Sequence, residues 1–539
     1  MPSTKKLLSI TNLKKYFPVA KSSLFQKEKL YVRANEEITL DIYQGETVGI
    51  VGESGCGKST LGRVLLQLYE QTAGTTMYYG RSVSEIAPRY MEHTLKNARK
   101  YVAKYKAAQA RADKLSRECD ELGDQADFFR LQDKNLAVAT ARSALMDVAQ
   151  ILGGFMAVSE IDQGAAILLK QYRMDILLAK RRAEVIDLEA REELYRSEKE
   201  ALEKERKNSS NVQKKLSALD QRLTNLQKQI ENLTKKREAI DAELQEMKGK
   251  FAQNTEFQKY EAMLDDGVDL SRLNYDEMRF LRKDLQIIFQ DPYSSLDPRM
   301  TIGQIIEEGL VTHKFYKHGS PKMQEYILQT MRECGLQDYM LHRYPHQFSG
   351  GQRQRICIAR ALAVKPKFVV CDECVSALDV SIQSQIINLL QELQEREKFT
   401  YLFISHDLSV VRYISNRIAV MYLGNIVELA PAEEIFEDPR HPYTVALLSS
   451  IPTTDPDDLN TERIILEGNI PSPIRPPAGC KFHTRCFMAC DKCKRVPPPL
   501  TEIADGHYVA CHFPDRKIDA EGNYLFELPK MEKRTSRAE

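Results

Sequence analysis

Residues 46–60 read ETVGIVGESGCGKST. The run from Thr47 to Val51 has the apolar character of a short buried strand. After the glycine-rich turn, Leu61, Val64, Leu65 and Leu68 recur at helical spacing. Strand, turn and helix around G-x-x-x-x-G-K-S form the context that a phosphate-binding loop requires. Gly52, Gly55 and Gly57 let the backbone wrap with its N–H groups pointing inward, and Glu53, Ser54 and Cys56 fill the positions between them. The following helix N-terminus adds positive potential. Lys58 brings a charge to the β- and γ-phosphates, the Ser59 hydroxyl is a Mg²⁺ ligand, and Thr60 adds a phosphate contact.

A second apolar strand, FVVCDE at 368–373, ends in two acids. A strand buried in a parallel sheet delivers such carboxylates at the sheet's C-terminal edge, where ligands bind in open α/β folds. Asp372 is then placed to hold Mg²⁺ through water, and Glu373 to act as the general base for an attacking water. The fold class expected is α/β, with a parallel-sheet core.

The remainder bounds the answer. The chain has 539 residues, 42% apolar and 28% charged, with a net charge of +1. That length exceeds a single ordinary core. The balanced charge gives no electrostatic reason to expect nucleic acid. The most apolar window, ALMDVAQILGGFMAV at 144–158, is short and carries Asp147 and Gln150, so no bilayer span is expected. The N-terminal stretch lacks the apolar segment of a secretory signal, which places the chain in the cytosol.

Further motifs stand in a fixed order: LQIIFQDP at 285–292, FSGGQRQR at 348–355, SALD at 376–379 and SHD at 405–407. Together with the two strands they make the chain resemble the ATP-binding-cassette (ABC) ATPases, in which two cassettes close head to tail around two ATP molecules. The resemblance implies ATP and Mg²⁺ as ligands. It assigns Gln290 to sensing Mg²⁺ and the attacking water, and His406 to the γ-phosphate of its own ATP. Ser349, Gly350, Gly351 and Gln352 would meet the γ-phosphate held by the partner cassette, and Asp379 would act across the seam. Phe17 aligns with the adenine-stacking aromatic, with Tyr16 as the alternative.

Longer stretches resemble the cassette subunits of dipeptide, oligopeptide and nickel importers. They include FPV at 17–19, RKDLQIIFQDPYSSLDPRMTIGQII at 282–306, SALDVSIQSQIINLL at 376–390 and HPYTVALLSSIP at 441–452. FPV and DPYSSLDPRM favour the "F" type. This implies a non-identical "D" type cassette as partner, two permease subunits, an external solute-binding protein, and a place on the cytoplasmic face of the cell membrane. One departure is Cys374, where the family usually has proline.

Between about Ser82 and Leu270 the family pattern breaks. Val212, Leu216, Leu219, Leu223, Leu226, Ile230, Leu233, Ile240, Leu244 and Met247 step by threes and fours, interrupted by Arg237. Such a seam predicts a coiled coil, about 54 Å long at 1.5 Å per residue. Both ends must return to one domain, so an antiparallel helical hairpin is expected, with 167–202 as the second arm and 91–160 as further helices or a tip. The parts are 1–81 and 271–440 for the nucleotide-binding domain, 82–270 for the insertion and 441–539 for a Cys-rich C-terminal region. A coil interrupting an ABC head raises a rival reading, a chromosome-maintenance ATPase of the SMC type acting on DNA. There the coil separates the glutamine loop from the signature; here it precedes Gln290.

The C-terminal region reads GCKFHTRCFMACDKC from 479, followed by VACH at 509–512. It resembles the importer pattern GCxFxxRCxxAxxxC…ACH, which selects Cys480, Cys486, Cys493 and Cys511 and leaves Cys490 over. Four thiolates suit a [4Fe–4S] cluster or a structural Zn²⁺. Intervals of five, six and seventeen residues fit the cluster better. Cys490 and Cys493 keep zinc open, and His483 and His512 are lesser alternatives.

Overall fold

The computed structural model describes residues 5–20, 29–123, 127–204, 208–451, 464–466 and 468–514. It separates into two compact units, Met1–Gly80 with Met278–Glu539, and Arg81–Glu277. The end of the Cys-rich region beyond residue 514, and Pro452 at the close of HPYTVALLSSIP, lie outside the described residues.

The described strands, in chain order, are β1 (Lys6–Pro18), β2 (Tyr31–Tyr43), β3 (Thr47–Val51), β4 (Ala73–Tyr78), β5 (Val268–Asp269), β6 (Leu285–Ile288), β7 (Phe368–Asp372), β8 (Thr400–Ile404), β9 (Arg417–Tyr422), β10 (Asn425–Pro431), β11 (Thr501–Ala504) and β12 (His507–Val509). All but β5 belong to the first unit. There β1 pairs antiparallel with β2 and with β4. The larger sheet runs β11-β12-β10-β9-β3-β8-β7-β6. Its strands β9, β3, β8, β7 and β6 are parallel, while β10, β12 and β11 extend the β9 edge antiparallel.

Every residue of β3, β7 and β8 is buried. Strands covered on both faces read as continuous apolar runs, which is why TVGIV, FVVCD and TYLFI show no alternation. The helices Gly350–Leu362 and Val380–Glu397 contribute Ile356, Ile358, Ile386 and Leu390 to the core that contains Val369, Tyr401 and Phe403. Since β3 lies between β8 and β9, the loop after it emerges at the C-terminal edge of the parallel strands.

The second unit is helical. Its long helices are Ala98–Leu122, Phe128–Leu152, Ile161–Lys204 and Ser210–Gly249. Gln171 bonds Asp241 at 2.8 Å, Arg237 Nε meets Asp175 at 2.5 Å, and Leu188 packs with Leu223 and Leu226. Partners that descend along one helix as they rise along the other make these two helices antiparallel. Arg237, which interrupts the apolar steps, thus faces a carboxylate of the opposite helix. Of the stepped residues, Val212, Leu216, Leu223, Leu226, Leu244 and Met247 are buried.

The stretch Phe128–Ala157 is long and apolar enough to cross a membrane by length and composition. Within the helical unit its latter half is core, where Val148, Ala149, Leu152 and Phe155 are fully buried.

Candidate nucleotide site and cysteine cavity

The loop after β3 is shaped by glycine at two places above all. Gly52 has φ +146°, and a Cβ there would lie 2.2 Å from the Met421 carbonyl oxygen. Gly57 has φ +103°, and a Cβ would stand 2.0 Å from the Ala34 carbonyl oxygen. L side chains avoid such positive φ. The helix Lys58–Leu65 then starts without a side-chain cap, so its first N–H groups stay available for an anion. Lys58 is buried, and its Nζ donates to the Gly52 and Glu53 carbonyls at 2.8 and 3.1 Å. In that pose the cation folds back over its own loop. Ser59 and Thr60 are half-buried in the first turn.

Asp372 ends β7 almost fully buried. One carboxylate oxygen is 3.4 Å from Arg63 of the loop helix, and the other, Oδ1, is buried without a hydrogen-bond partner. An orphaned buried carboxylate oxygen beside a phosphate loop suits a hard cation, so the donor set fits Mg²⁺. Ser59 and Asp372 would hold that ion, which would neutralise charge on the phosphates.

The next residue, Glu373, has φ +48°, and its N–H donates to the Ile404 carbonyl at 3.0 Å. Its Oε2 accepts from Gln290 Nε2 at 2.8 Å and lies 3.9 Å from His406 Nδ1. His406 leaves β8 in a turn fixed by Asp407, whose carboxylate caps Ser409 and Val410. Three residues far apart in sequence therefore meet at one carboxylate at the sheet edge. Cys374 follows it, buried in the core.

Ser349, Gly350, Gly351 and Gln352 open a helix at an exposed N-terminus, where Ser349 and Gln352 cap each other reciprocally. Gly351 cannot take a side chain, since its Cβ would meet Ile382 at 2.5 Å. Asp379 begins the next helix, exposed and without a capping bond. Ser349, Gly350 and Asp379 are exposed, Gln352 is half-buried and Gly351 is buried. Phe17 is half-exposed, its ring edge-on to Tyr69 at 5.4 Å with Lys15 Nζ 4.7 Å from its centre. Tyr16 is buried and donates to Glu36, so it offers no free face.

The family model described as "ABC transporter" matches residues 35–267 and 258–376. The oligopeptide transport ATP-binding protein AppF of Bacillus subtilis is 52% identical over 248 residues, 46% of this chain and 75% of the relative.

The chain belongs to the ABC transporter ATP-binding proteins.

A putative peptide import ATP-binding protein of Brucella ovis matches this ABC protein at 53% identity over 246 residues, 46% of this chain and 77% of the relative. The family model described as "Oligopeptide/dipeptide transporter, C-terminal region" covers residues 427–493. As an ABC ATP-binding protein the chain is an ATPase.

The C-terminal part of the chain brings Cys480, Cys486, Cys493 and Cys511 around one small cavity, with Phe482, Met488 and Phe513 in its wall. Burial raises all four thiols, Cys486 to about 12 and Cys511 to about 11. Cys490 is half-buried and its thiol shifts downward, the effect of burial being outweighed by hydrogen bonds from Cys493. The sulfurs of Cys490 and Cys493 are 3.7 Å apart. Yet among the described residues no three of the Cys, His, Asp or Glu side chains are gathered closely enough to hold a metal ion. The donor chemistry suits a soft metal; the spacing of the donors does not.

Several partners of the loop carry no local signal in the sequence. Tyr443 accepts the Glu53 N–H at 2.9 Å, and Arg485 forks onto the Glu53 carboxylate. Arg63 looks like an ordinary helix-surface residue until its contact with Asp372 is seen.

Proposed function

We propose that this ABC protein is the ATP-hydrolysing subunit of a peptide importer, driving uptake of di- or oligopeptides or a related solute through separate permease subunits. The observation that carries the catalytic part is the convergence of Gln290 and His406 on Glu373, beside a loop built for phosphates. Lys58 releases the loop carbonyls and turns to the β- and γ-phosphates, and the first N–H groups of its helix bind the same oxygens. Glu373 takes the proton of the attacking water. Gln290 orients that carboxylate, and His406 contacts the γ-phosphate. Ser349, Gly350, Gly351 and Gln352, with Asp379, complete a partner cassette's site, a reading supported by the exposure of Ser349, Gly350 and Asp379. Phe17 stacks on adenine.

The importer reading is supported by the names of the relatives and by the family match at 427–493. It carries with it a second cassette of the "D" type, two permeases, an external binding protein and a peripheral place on the cytoplasmic membrane face. The division into 1–81, 82–270, 271–440 and 441–539, with 82–270 as a coiled-coil insertion, belongs to the same reading. So does a [4Fe–4S] cluster at Cys480, Cys486, Cys493 and Cys511, with Zn²⁺ as its alternative; their convergence on one cavity supports it, and the four thiols would have to draw together on loading.

The protein reconstituted with partner cassette and permease in vesicles should take up labelled peptide with ATP, and E373Q should abolish both uptake and phosphate release. Uptake that persists in E373Q would overturn the assignment. Anaerobically prepared protein should absorb near 400 nm and contain iron; zinc without iron would sink the cluster.

A further inference from the structure

Glu53 places a carboxylate inside the very loop that must accept a polyanion. In the sequence nothing offsets it. In the structure Arg485 Nη1 meets Glu53 Oε2 at 2.8 Å and Arg485 Nη2 meets Oε1 at 3.1 Å. This is a two-pronged, charge-assisted pair, the geometry for which guanidinium is suited and ammonium is not. The Arg485 side chain is 7% exposed and the Glu53 side chain 24%, so solvent screens the pair only in part.

The same residue is held by its backbone. The Glu53 N–H donates to the hydroxyl of Tyr443, a fully buried residue of the helix Pro442–Leu448. Both grips on Glu53 thus come from the C-terminal part of the chain, and both are rigid. Arg485 N–H donates to the Phe482 carbonyl at 2.9 Å, and the Phe482 ring is wedged against Tyr422 and Tyr443 at 5.2 and 5.4 Å. Lys481 Nζ reaches the Leu423 carbonyl at 2.8 Å, and Gly424 N–H bonds the Cys56 carbonyl of the loop at 2.9 Å.

We infer that Arg485 is a positioning residue for the ATP loop: it draws the Glu53 carboxylate away from the phosphates and neutralises it, so that the loop presents N–H groups and Lys58 without an opposing charge. The inference rests on the reading of residues 52–60 as the ATP-binding loop. Arg485 touches no nucleotide itself. Its removal strands an anion in the loop, and a second change that removes the anion should relieve the loss. A role limited to holding the fold would show no such dependence on the charge of Glu53.

The test is ATP affinity with Mg²⁺, by calorimetry on the full-length chain, for wild type, R485M, R485Q, E53Q and E53Q/R485M, with circular dichroism and melting curves alongside. R485M and R485Q are expected to weaken ATP binding about tenfold, equivalent to ~1.4 kcal/mol. In the E53Q background the same Arg485→Met change should cost less than about threefold. If R485M does not fold, R485Q, which keeps a polar side chain, and E53Q/R485Q give the same comparison. Unchanged affinity in a folded Arg485 variant overturns the inference, as does an equal loss with and without the Glu53 charge. Failure of the underlying reading looks different: wild type would not bind ATP, or K58A would bind it as well as wild type does.

Discussion

Gln290 Nε2 donates to Glu373 Oε2 at 2.8 Å, while His406 Nδ1 stands 3.9 Å from that same oxygen. The Gln290 hydrogen bond restricts the orientation in which the Glu373 carboxylate can receive a proton. E373Q keeps the shape and removes the base, so phosphate release should fall by about 10²-fold or more while ATP binding persists. Q290A leaves the base in place but loosens it, and should cost less than E373Q. Steady-state phosphate release and equilibrium ATP binding, measured on the same preparations, check both. Equal turnover in E373Q and wild type would remove Glu373 from the role.

Gly55 and Gly57 both have positive φ, +78° and +103°, yet their surroundings differ. A Cβ at Gly55 meets nothing within 4 Å, whereas at Gly57 it would be driven into the Ala34 carbonyl at 2.0 Å. Backbone cannot swing aside as a side-chain end can. G55A therefore carries only the conformational cost, about 1–2 kcal/mol. G57A should lose ATP binding altogether. Parallel titrations with ATP distinguish them, and comparable affinities would contradict the packing argument.

What was legible in the sequence was what is local. Strands β3, β7 and β8 announce themselves as unbroken apolar runs because both faces are covered, and the loop glycines sit at fixed offsets from Lys58. The capping pair Ser349 and Gln352 is likewise three residues apart. The contacts that tune the site are not local: Arg485 and Glu53 are 432 positions apart, and Arg63 and Asp372 are 309. Arg63 and Arg485 look like ordinary surface charges until the fold brings them to Asp372 and Glu53. The short strands β11 and β12, which extend the main sheet through Glu428 and Val509, are too brief for periodicity to reveal. The four cysteines were identifiable as a set, but the spacing of their sulfurs depends on loops that composition does not specify.

Gly164 lies in the first turn of the helix Ile161–Lys204, where glycine is normally a weakness that alanine would repair by up to about 1 kcal/mol. Here a Cβ would lie 2.3 Å from the ring of Phe155, itself fully buried against Phe257. G164A should therefore destabilise the helical unit, by about 1–3 kcal/mol, as overpacking does. G249A, at a helix end with nothing within 4 Å of the new methyl, is the control and should be neutral or slightly stabilising. Urea unfolding followed by helical circular dichroism gives both values. A gain in stability for G164A would mean that the Phe155 contact is softer than the packing implies.

Asp269, in β5, is buried, and that burial lifts its carboxyl from the usual 3.8 to about 6 despite hydrogen bonds from Ser271 and the nearby charge of Arg272. The folded state then holds its proton over a range of pH where the unfolded chain has lost it. The stabilisation is fully present below pH 3.8 and disappears as pH rises through about 6. At pH 8 the helical unit carries an ionised carboxylate at a cost of about 2–3 kcal/mol, from 1.36 kcal/mol per pKa unit. D269N keeps an oxygen for the Ser271 bonds and has no charge to bury. It should therefore be more stable than wild type at pH 8, and the advantage should shrink toward zero at pH 4. Paired urea titrations of the two proteins across that range measure the difference directly and cancel the groups they share. A constant gap between the curves would show that the Asp269 carboxylate is solvated in the folded protein.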